Sequence, residues 1–409
     1  MLAPLIGDTT DRLYDSGLIL GSAKRATIGS PAYSFGAGDS GISDNVPLGL
    51  GFVADGSTTN DNTPLISGTI SGALGPGEKV QVLNGAVLLG DAVVDNASRS
   101  WSLTPSAGLP DGSYSLTARV VDADGVAGAS SFSRGFSIDT APPLQLATLL
   151  AITDNVGAIT GNLATGSITN DNLLALTGGW SGVTALGPGE TIEIFQGIDT
   201  TSHLGRATIV PALSRWSFTT ATLPSGDYTF SARVADAAGN LSGLASNSSR
   251  RAVVQAPAND LVGSASADPA LTGSAADDII IGFLTTPATL GVLQIDTITG
   301  NGGNDTVLLG DARGVFYSNT LTSDAGLGDY AMISDFNSGD RIQLRGTAAN
   351  YLLNPTSLGL GGMGIYRNDG TGPGSLTSSW DSADELIAIV KVIDTTILNL
   401  SSTAQFNYV

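Results

Sequence analysis

The chain has 409 residues, room for two or three ordinary domains, and carries 37 acidic against 17 basic side chains for a formal net charge of −20. It contains no cysteine, which excludes a disulfide framework, a thiol nucleophile and a thiolate metal site. Residues 256–409 hold 15 Asp and 1 Glu against 4 Arg and 1 Lys, and a surface of that sign repels nucleic acid and anionic lipid while attracting divalent cations.

The first residues, Met-Leu-Ala-Pro-Leu-Ile-Gly-Asp, lack the basic start and long apolar run of a secretory signal peptide. No stretch approaches the roughly 18 apolar residues of a membrane helix. An exported protein of this kind would therefore carry its address elsewhere. Residues 1–35 form an N-terminal extension that matches nothing else in the chain. Leu18-Ile-Leu20, Ala26-Thr-Ile28 and Tyr33-Ser-Phe35 read as short strands that either pad the first domain or lend a strand to a neighbouring molecule.

From there the chain repeats itself. Asp44-Asn-Val46 recurs as Asp154-Asn-Val156, Thr59-Asn-Asp-Asn62 as Thr169-Asn-Asp-Asn172, and Leu74-Gly-Pro-Gly-Glu78 as Leu186-Gly-Pro-Gly-Glu190. Trp101-Ser-Leu103 matches Trp216-Ser-Phe218, and Leu109-Pro-Asp-Gly-Ser-Tyr114 matches Leu223-Pro-Ser-Gly-Asp-Tyr228. Two domains, residues 36–143 and 144–255, follow in tandem. Val80 and Val82, Ile192 and Ile194, and the series Tyr114, Leu116, Ala118, Val120 against Tyr228, Phe230, Ala232, Val234 alternate with polar neighbours, the period of a half-buried strand. Short strands, Gly/Pro turns and a repeated Trp predict β-sandwiches with the Trp residues in their cores. The single histidine, His203, stands in Asp-Thr-Thr-Ser-His-Leu-Gly and reads as an exposed loop residue. A histidine-dependent triad would have to use it, and a two-histidine zinc helix cannot be built.

Tyr-x-x-x-Ala-Arg-Val-x-Asp-Ala-x-Gly, Ile138-Asp-Thr-Ala-Pro-Pro143, Thr153-Asp-Asn-Val-Gly157 and Ile168-Thr-Asn-Asp-Asn172 together resemble the tandem immunoglobulin-like domains of large bacterial biofilm-associated adhesins. The resemblance covers residues 36–255 and implies calcium held by acidic residues at the domain junctions. Carried over by position, it nominates Asp139, Asp154, Asp122 and Asp124, with Asp236 and Asn240 as the equivalents in the second copy. A hard cation gathering oxygen ligands at a short linker would stiffen the joint. The alternative is that these Asp and Asn residues only make turns.

Residues 256–272, with Pro257, Pro269 and several Ala and Ser, read as a linker. Beyond them, Thr299-Gly-Asn-Gly-Gly-Asn-Asp-Thr-Val-Leu-Leu-Gly310 fits G-x-x-G-x-D-x-U, the unit of a calcium-binding parallel β-roll. Gly300 and Gly303 permit the tight turn, Asn301 and exposed carbonyls supply neutral oxygens, Asp305 supplies charge, and Val307 starts a buried strand. Gly273-Ser-Ala-Ala-Asp-Asp-Ile-Ile280 and Gly291-Val-Leu-Gln-Ile-Asp-Thr-Ile298 are degenerate copies. They bring in Asp277, Asp278 and Asp296. The steps between Asp278, Asp296 and Asp305 are 18 and 9 residues, multiples of the nine-residue period, and Pro287 marks a turn of the roll replaced or lost. A run of Gly/Asp-rich hairpin turns is the alternative.

Residues 273–409 resemble the repeats-in-toxin module that ends bacterial type I secretion substrates. The segment 328–346 is similar to the capping strands of such modules, Glu385-Leu-Ile-Ala-Ile-Val-Lys-Val-Ile393 is a further strand, and Phe406-Asn-Tyr-Val409 is similar to their uncleaved C-terminal export signals. The expected fold is thus all-β: tandem immunoglobulin-like sandwiches, then a short calcium-binding parallel β-roll with a β-rich C-terminal cap.

The resemblance implies Ca2+ as the bound ion, export by type I secretion machinery without an N-terminal signal, and an extracellular or cell-surface location. The expected function is non-enzymatic: an adhesin-like rod, or a subunit of a filament or surface layer, whose partners are other copies of itself or cell-surface glycans and proteins, with no nucleic acid and no membrane span. The alternatives are a glycan-binding module, which needs a row of exposed aromatics from the 6% present, and a glycan-directed hydrolase with a carboxylate pair. Only four Glu exist, and Glu78 and Glu190 occupy the same place in the repeated turn, which points to a structural role for both.

Overall fold

The computed structural model describes residues 41–131, 133–181, 185–255, 258–283, 290–318, 326–355, 361–368 and 384–409. The extension read over residues 1–35 and Pro287 lie outside them. Among the described residues every regular element is a β-strand except two single 3-10 turns, Pro211–Leu213 and Ala348–Asn350. The chain divides into two compact units. The first comprises Met1–Leu144, Leu186–Glu190 and Val234–Gly243, and the second Gln145–Ala185, Thr191–Arg233 and Leu244–Val409.

The first repeat is a sandwich of two sheets. One holds Gly51–Phe52, Ile42–Asp44, Leu65–Thr69, Ser100–Leu103 and Val93–Asp95, and the other Thr58–Thr59, Arg134–Ile138, Gly112–Val121, Lys79–Asn84 and Val87–Asp91. Its inner faces are those that the alternation assigns: Val80, Val82, Leu116, Ala118 and Val120 are buried with Ile42, Ile66, Phe136 and Ile138 around Trp101. The Trp101 indole N–H donates to Thr69 O at 3.3 Å. Tyr114 OH donates to Pro110 O at 2.6 Å, which pins the corner where the chain enters its longest strand.

The second repeat has the same plan. Ala147–Asp154, Ala175–Trp180, Arg215–Thr219 and Thr208–Val210 lie in one sheet, and Ser249–Val254, Gly226–Ala235, Thr191–Gln196 and Ser202–Arg206 in the other. Tyr228 OH to Pro224 O, 2.9 Å, repeats the corner. His203 is exposed as its sequence reading has it, but it belongs to the edge strand Ser202–Arg206 instead of a loop, and its Nε2 lies 2.8 Å from Glu193 Oε2. Glu193 is 2% exposed on a strand whose alternation predicts an outward side chain. It stays ionised there because Thr191, Arg206 and His203 surround it, and these partners outweigh burial and hold its pKa below the usual value.

From Asn259 the chain visits two parallel sheets in alternation. The first collects Asn259–Val262, Asp278–Ile281, Thr306–Leu308, Arg341–Leu344 and Phe406–Tyr408. The second collects Leu271–Thr272, Ile295–Thr299, Tyr330–Phe336 and Glu385–Val392, then adds Met363–Arg367 and Tyr351–Pro355 antiparallel at its edge. Three sequence readings change accordingly. The stretch 256–272, read as a linker, carries two of these strands. The 18-residue step from Asp278 to Asp296 is not two turns along one column, since Asp278–Ile281 and Ile295–Thr299 belong to different sheets. The segment 328–346 contributes one strand to each sheet and continues the coil instead of capping it.

Asp278–Ile281 is buried along its whole length because both of its faces are covered. One face meets the coil interior, and Ile168 and Val253 of the second repeat belong to the same apolar cluster. A polar seam joins these parts of the second unit. Ile168 N–H donates to Gln343 Oε1 at 2.9 Å, Gln343 Nε2 to Gly310 O at 2.9 Å, and Asn407 Nδ2 to Gly166 O at 2.6 Å. Asn407→Ala leaves the buried Gly166 carbonyl without this donor and is expected to cost roughly 1–3 kcal/mol, read from urea unfolding.

Candidate metal centre

The turns of the coil place aspartates ahead of several strands or at their starts. Asp278, Asp305 and Asp340 form a first column in register along one sheet, and Asp296, Asp329 and Asp384 lie near the strand starts of the other in staggered register, all nearly or fully buried. In the first column each backbone N–H donates to the carboxylate of the next coil: Asp278 to Asp305 Oδ1 at 2.9 Å, and Asp305 to Asp340 Oδ1 at 2.9 Å. Asp268 N–H makes the corresponding bond to Asp296 Oδ1, 2.7 Å, on the other edge. The side chains thereby carry hydrogen bonding across turns where the ladder stops.

The predicted turn residues hold this geometry. Gly300 admits no side chain because a Cβ there would lie 2.1 Å from Asp305 Oδ2, and Gly303, at φ 105°, would meet the backbone of Ala276 and Asp277. Asn301, at φ 73°, donates its N–H to Asp335 Oδ2 at 2.7 Å and its Nδ2 to Gly273 O at 2.7 Å. Asp277 accepts the Asn304 N–H at 2.8 Å, and Asp278 accepts the Ser274 N–H at 2.6 Å. Asp296 stands on the other edge, away from Asp278 and Asp305, and accepts the buried Tyr317 hydroxyl at 2.6 Å.

Asp305 is the exception to full pairing. Its residue is 2% exposed, yet Oδ2 meets no donor. Burial, reinforced by the charges of Asp340, Asp278 and Asp335, pushes its pKa up to about 7. A buried carboxylate oxygen in that setting either keeps a proton or faces a cation. Among the described residues, no three Asp, Glu or His side chains gather so as to hold a metal ion by themselves. Calcium takes roughly six to eight oxygen ligands, so a site here would draw heavily on turn carbonyls and water.

The ends of the two repeats carry a second, duplicated arrangement. Thr59 Oγ1 donates to Asp44 Oδ2 at 2.5 Å and Asn45 N–H to Asp61 Oδ2 at 3.2 Å. Thr169 donates to Asp154 at 2.6 Å and Asn155 N–H to Asp171 at 3.2 Å in the same way. All four aspartates are 5% exposed or less, and Asn60 Oδ1 and Asn170 Oδ1, between them in sequence, are buried atoms without partners. Asp154 is pushed up to about 6, chiefly by burial, with Asp171 and Asp260 adding repulsion.

The remaining nominated residues divide. In the first unit Asn240 Nδ2 donates to Asp139 O at 2.7 Å and to Asp236 Oδ2 at 3.0 Å, so Asp139, Asp236 and Asn240 come together. Asp122 accepts the N–H groups of Asp124 and Val126 within its own turn, and Asp124 is exposed. Asp236 closes the equivalent turn in the second repeat, accepting the N–H groups of Ala238 and Asn240 at 2.9 Å each. Glu78 and Glu190 each accept a glycine N–H of their turn, from Gly75 at 2.8 Å and Gly187 at 2.6 Å. The sequence reading missed Asp44, Asp61, Asp171, Asp260, Asp268 and Asp340. The repeated Thr-Asn-Asp-Asn motif held the signal for Asp61 and Asp171, and Gly263-x-x-x-x-Asp268 held it for another coil.

Residues 51–140 match the family described as a bacterial Ig-like domain. No curated protein matches the chain. Among solved structures, CopC from Methylosinus trichosporium OB3b is 20% identical over 26% of this chain and 98% of its own, with a TM-score of 0.18. The Bacteroides ovatus mixed-linkage glucan utilization locus protein SGBP-B is 14% identical over 54% of this chain and 48% of its own, TM-score 0.17. A membrane-anchored protein from Corynebacterium diphtheriae is 13% identical over 50% of this chain and 58% of its own, TM-score 0.19. The chain thus spans about half the length of the last two. A nearly all-β chain with a bacterial Ig-like domain and a repeat of it fits a bacterial surface or adhesin-like protein with an extracellular or cell-surface location. Among the described residues no helix is long and apolar enough to cross a membrane.

Proposed function

We propose that this is a calcium-dependent, non-enzymatic structural protein of the bacterial surface or extracellular matrix, with the sandwiches as spacers and the two-sheet coil as a calcium-binding β-roll of the secreted repeats-in-toxin kind. The observation that carries the reading is the buried, unpaired Asp305 Oδ2 in a column of aspartates one coil apart. In a cytosol poor in calcium the carboxylates of residues 256–409 repel one another and oppose ordering of the glycine-rich turns, so the chain stays threadable for type I export. Outside, calcium binds the folded form alone and draws folding forward by mass action. At the repeat ends, Asp44 with Asp61, and Asp154 with Asp171, would add stiffening sites through Asn60 and Asn170. Non-enzymatic action is supported by Glu78 and Glu190 closing their own turns and Glu193 being held by three partners.

The test is a calcium titration of the full chain by calorimetry and circular dichroism, with light scattering alongside. Saturable uptake with a gain in β signal is expected, reduced by Asp305→Ala and Asp278→Ala. Growth in particle size with calcium assigns a filament or layer subunit, whereas a calcium-ordered monomer assigns an adhesin-like rod. Unchanged spectra and no heat would overturn the calcium reading.

A further inference from the structure

A cleft of about 560 Å3 in the second unit is lined by Arg251, Arg341, Asp227, Gln255, Asn304 and Thr306, among others. Its polar groups are unequally used. Asp227 holds Arg251 through both carboxylate oxygens, with Nε at 2.7 and 2.9 Å and the nearer terminal nitrogen at 2.6 Å. Asp277 on another wall accepts the Asn304 N–H. Arg341 donates only its Nε, to Ala404 O at 3.2 Å, and its two terminal nitrogens meet no hydrogen-bond partner among the described residues. The Asn304 side-chain amide is also uncommitted, while Thr306 Oγ1 orients Gln255 by donating to its Oε1 at 2.6 Å.

We propose that this cleft binds an acidic sugar, with the carboxylate of a uronic acid on the open end of Arg341 and ring hydroxyls on Asn304 and Gln255. A planar carboxylate matches the fork of a guanidinium. Amide and hydroxyl side chains that both donate and accept match vicinal hydroxyls. The volume falls in the range of small-ligand sites, roughly 300–1,000 Å3. The cleft lining has no aromatic ring, so a nucleobase has nothing to stack on and a sugar would be held by polar groups alone, without the aromatic row of a stacking glycan module. Of the lining carboxylates Asp227 is paired with Arg251 and Asp277 faces the ligand from the other wall with the Asn304 N–H as its donor, while acidic charges beyond the Debye length of about 8 Å are largely screened at physiological salt. The assignment rests on the reading above, since Thr306 and Arg341 belong to strands of the coil that calcium is proposed to order, and Asn304 and Asp277 to the turns ahead of its strands.

The probe is a hyaluronan tetrasaccharide added to the full chain at saturating calcium, followed by ligand-observed NMR and calorimetry, with its methyl ester as the neutral comparison. Esterification and Arg341→Gln are each expected to weaken binding about tenfold or more, the usual weight of a charge-assisted hydrogen-bond pair. Arg341→Lys should retain part of the affinity. Asn304→Ala removes a side chain with no hydrogen bond of its own, so it reports on the sugar even if Arg341 variants unfold. Equal binding of acid and ester, no binding at millimolar sugar, or tighter capture of a peptide through its C-terminal carboxylate would each overturn the assignment. Failure of the calcium reading shows separately, as unchanged folding when calcium is added without sugar.

Discussion

Gly178→Ala is expected to destabilise the second repeat by about 3 kcal/mol, and Trp216→Ala by about 3–5 kcal/mol. Gly178 faces Trp216 across the sheet, as Gly68 faces Trp101 in the first repeat. The indole lies over the glycine and donates to Gly179 O at 2.9 Å, in a residue only 1% exposed. A Cβ on Gly178 would lie 2.3 Å from the indole and 1.9 Å from Thr148 O. The second contact is to backbone within a paired strand and cannot yield as a side-chain tip does. Removing the ring therefore does not make room, and the double variant Gly178→Ala with Trp216→Ala is expected to be worse than either alone. Amide hydrogen exchange followed strand by strand is the measurement, because it separates this repeat from the rest of the chain. Rescue of Gly178→Ala by Trp216→Ala would show that the indole alone, and not the Thr148 carbonyl, sets the need for glycine.

The sandwiches were legible because what defines them is local. Leu-Gly-Pro-Gly-Glu is a turn closed by its own Glu, Leu-Pro-x-Gly-x-Tyr is a corner closed by its own Tyr, and the strand between is a period-2 pattern. What escaped depends on partners distant in sequence. Glu193 is buried because residues 10 and 13 positions away sit across a hairpin from it. The Asp column was only half visible, since its members are joined at separations of 27 and 35 residues, set by insertions of unequal length. The nine-residue period finds Asp305 and then loses Asp340. Residues 256–272 look like a linker by composition, yet Asn259–Val262 pairs in parallel along its whole length with Asp278–Ile281. Asp260 in that strand accepts the Ile159 N–H at 2.7 Å, a contact 101 residues apart that no local pattern announces.

Without calcium the protein is expected to lose stability as pH rises from about 4 to 7, and with calcium to gain it. Asp305 and Asp154 have folded-state pKa values raised from 3.8 to about 7 and about 6, so between those values and the unfolded ones the folded chain binds more protons than the unfolded chain. The stabilisation is complete below the unfolded value and is lost as pH climbs through the folded one. A tenfold gain in proton affinity on folding is worth about 1.4 kcal/mol, so each of these carboxyls contributes on the order of a few kcal/mol. On the proposed calcium reading the ion reverses the sign, because calcium would bind only the ionised carboxylate and compete with the proton. An ion at a hundred times its dissociation constant adds about 2.7 kcal/mol per site, enough to offset much of what deprotonation removes. Melting curves at pH 5 and pH 8, in EDTA and in calcium, should therefore cross. General repulsion among the carboxylates of this acidic chain acts in the same direction as the EDTA arm, so the cross alone does not identify the group. Asp305→Asn does, since it keeps the shape, removes the titration and removes one charged ligand. It is expected to flatten the EDTA slope and shrink the calcium gain together, whereas a variant that changes neither would place the ion away from this column.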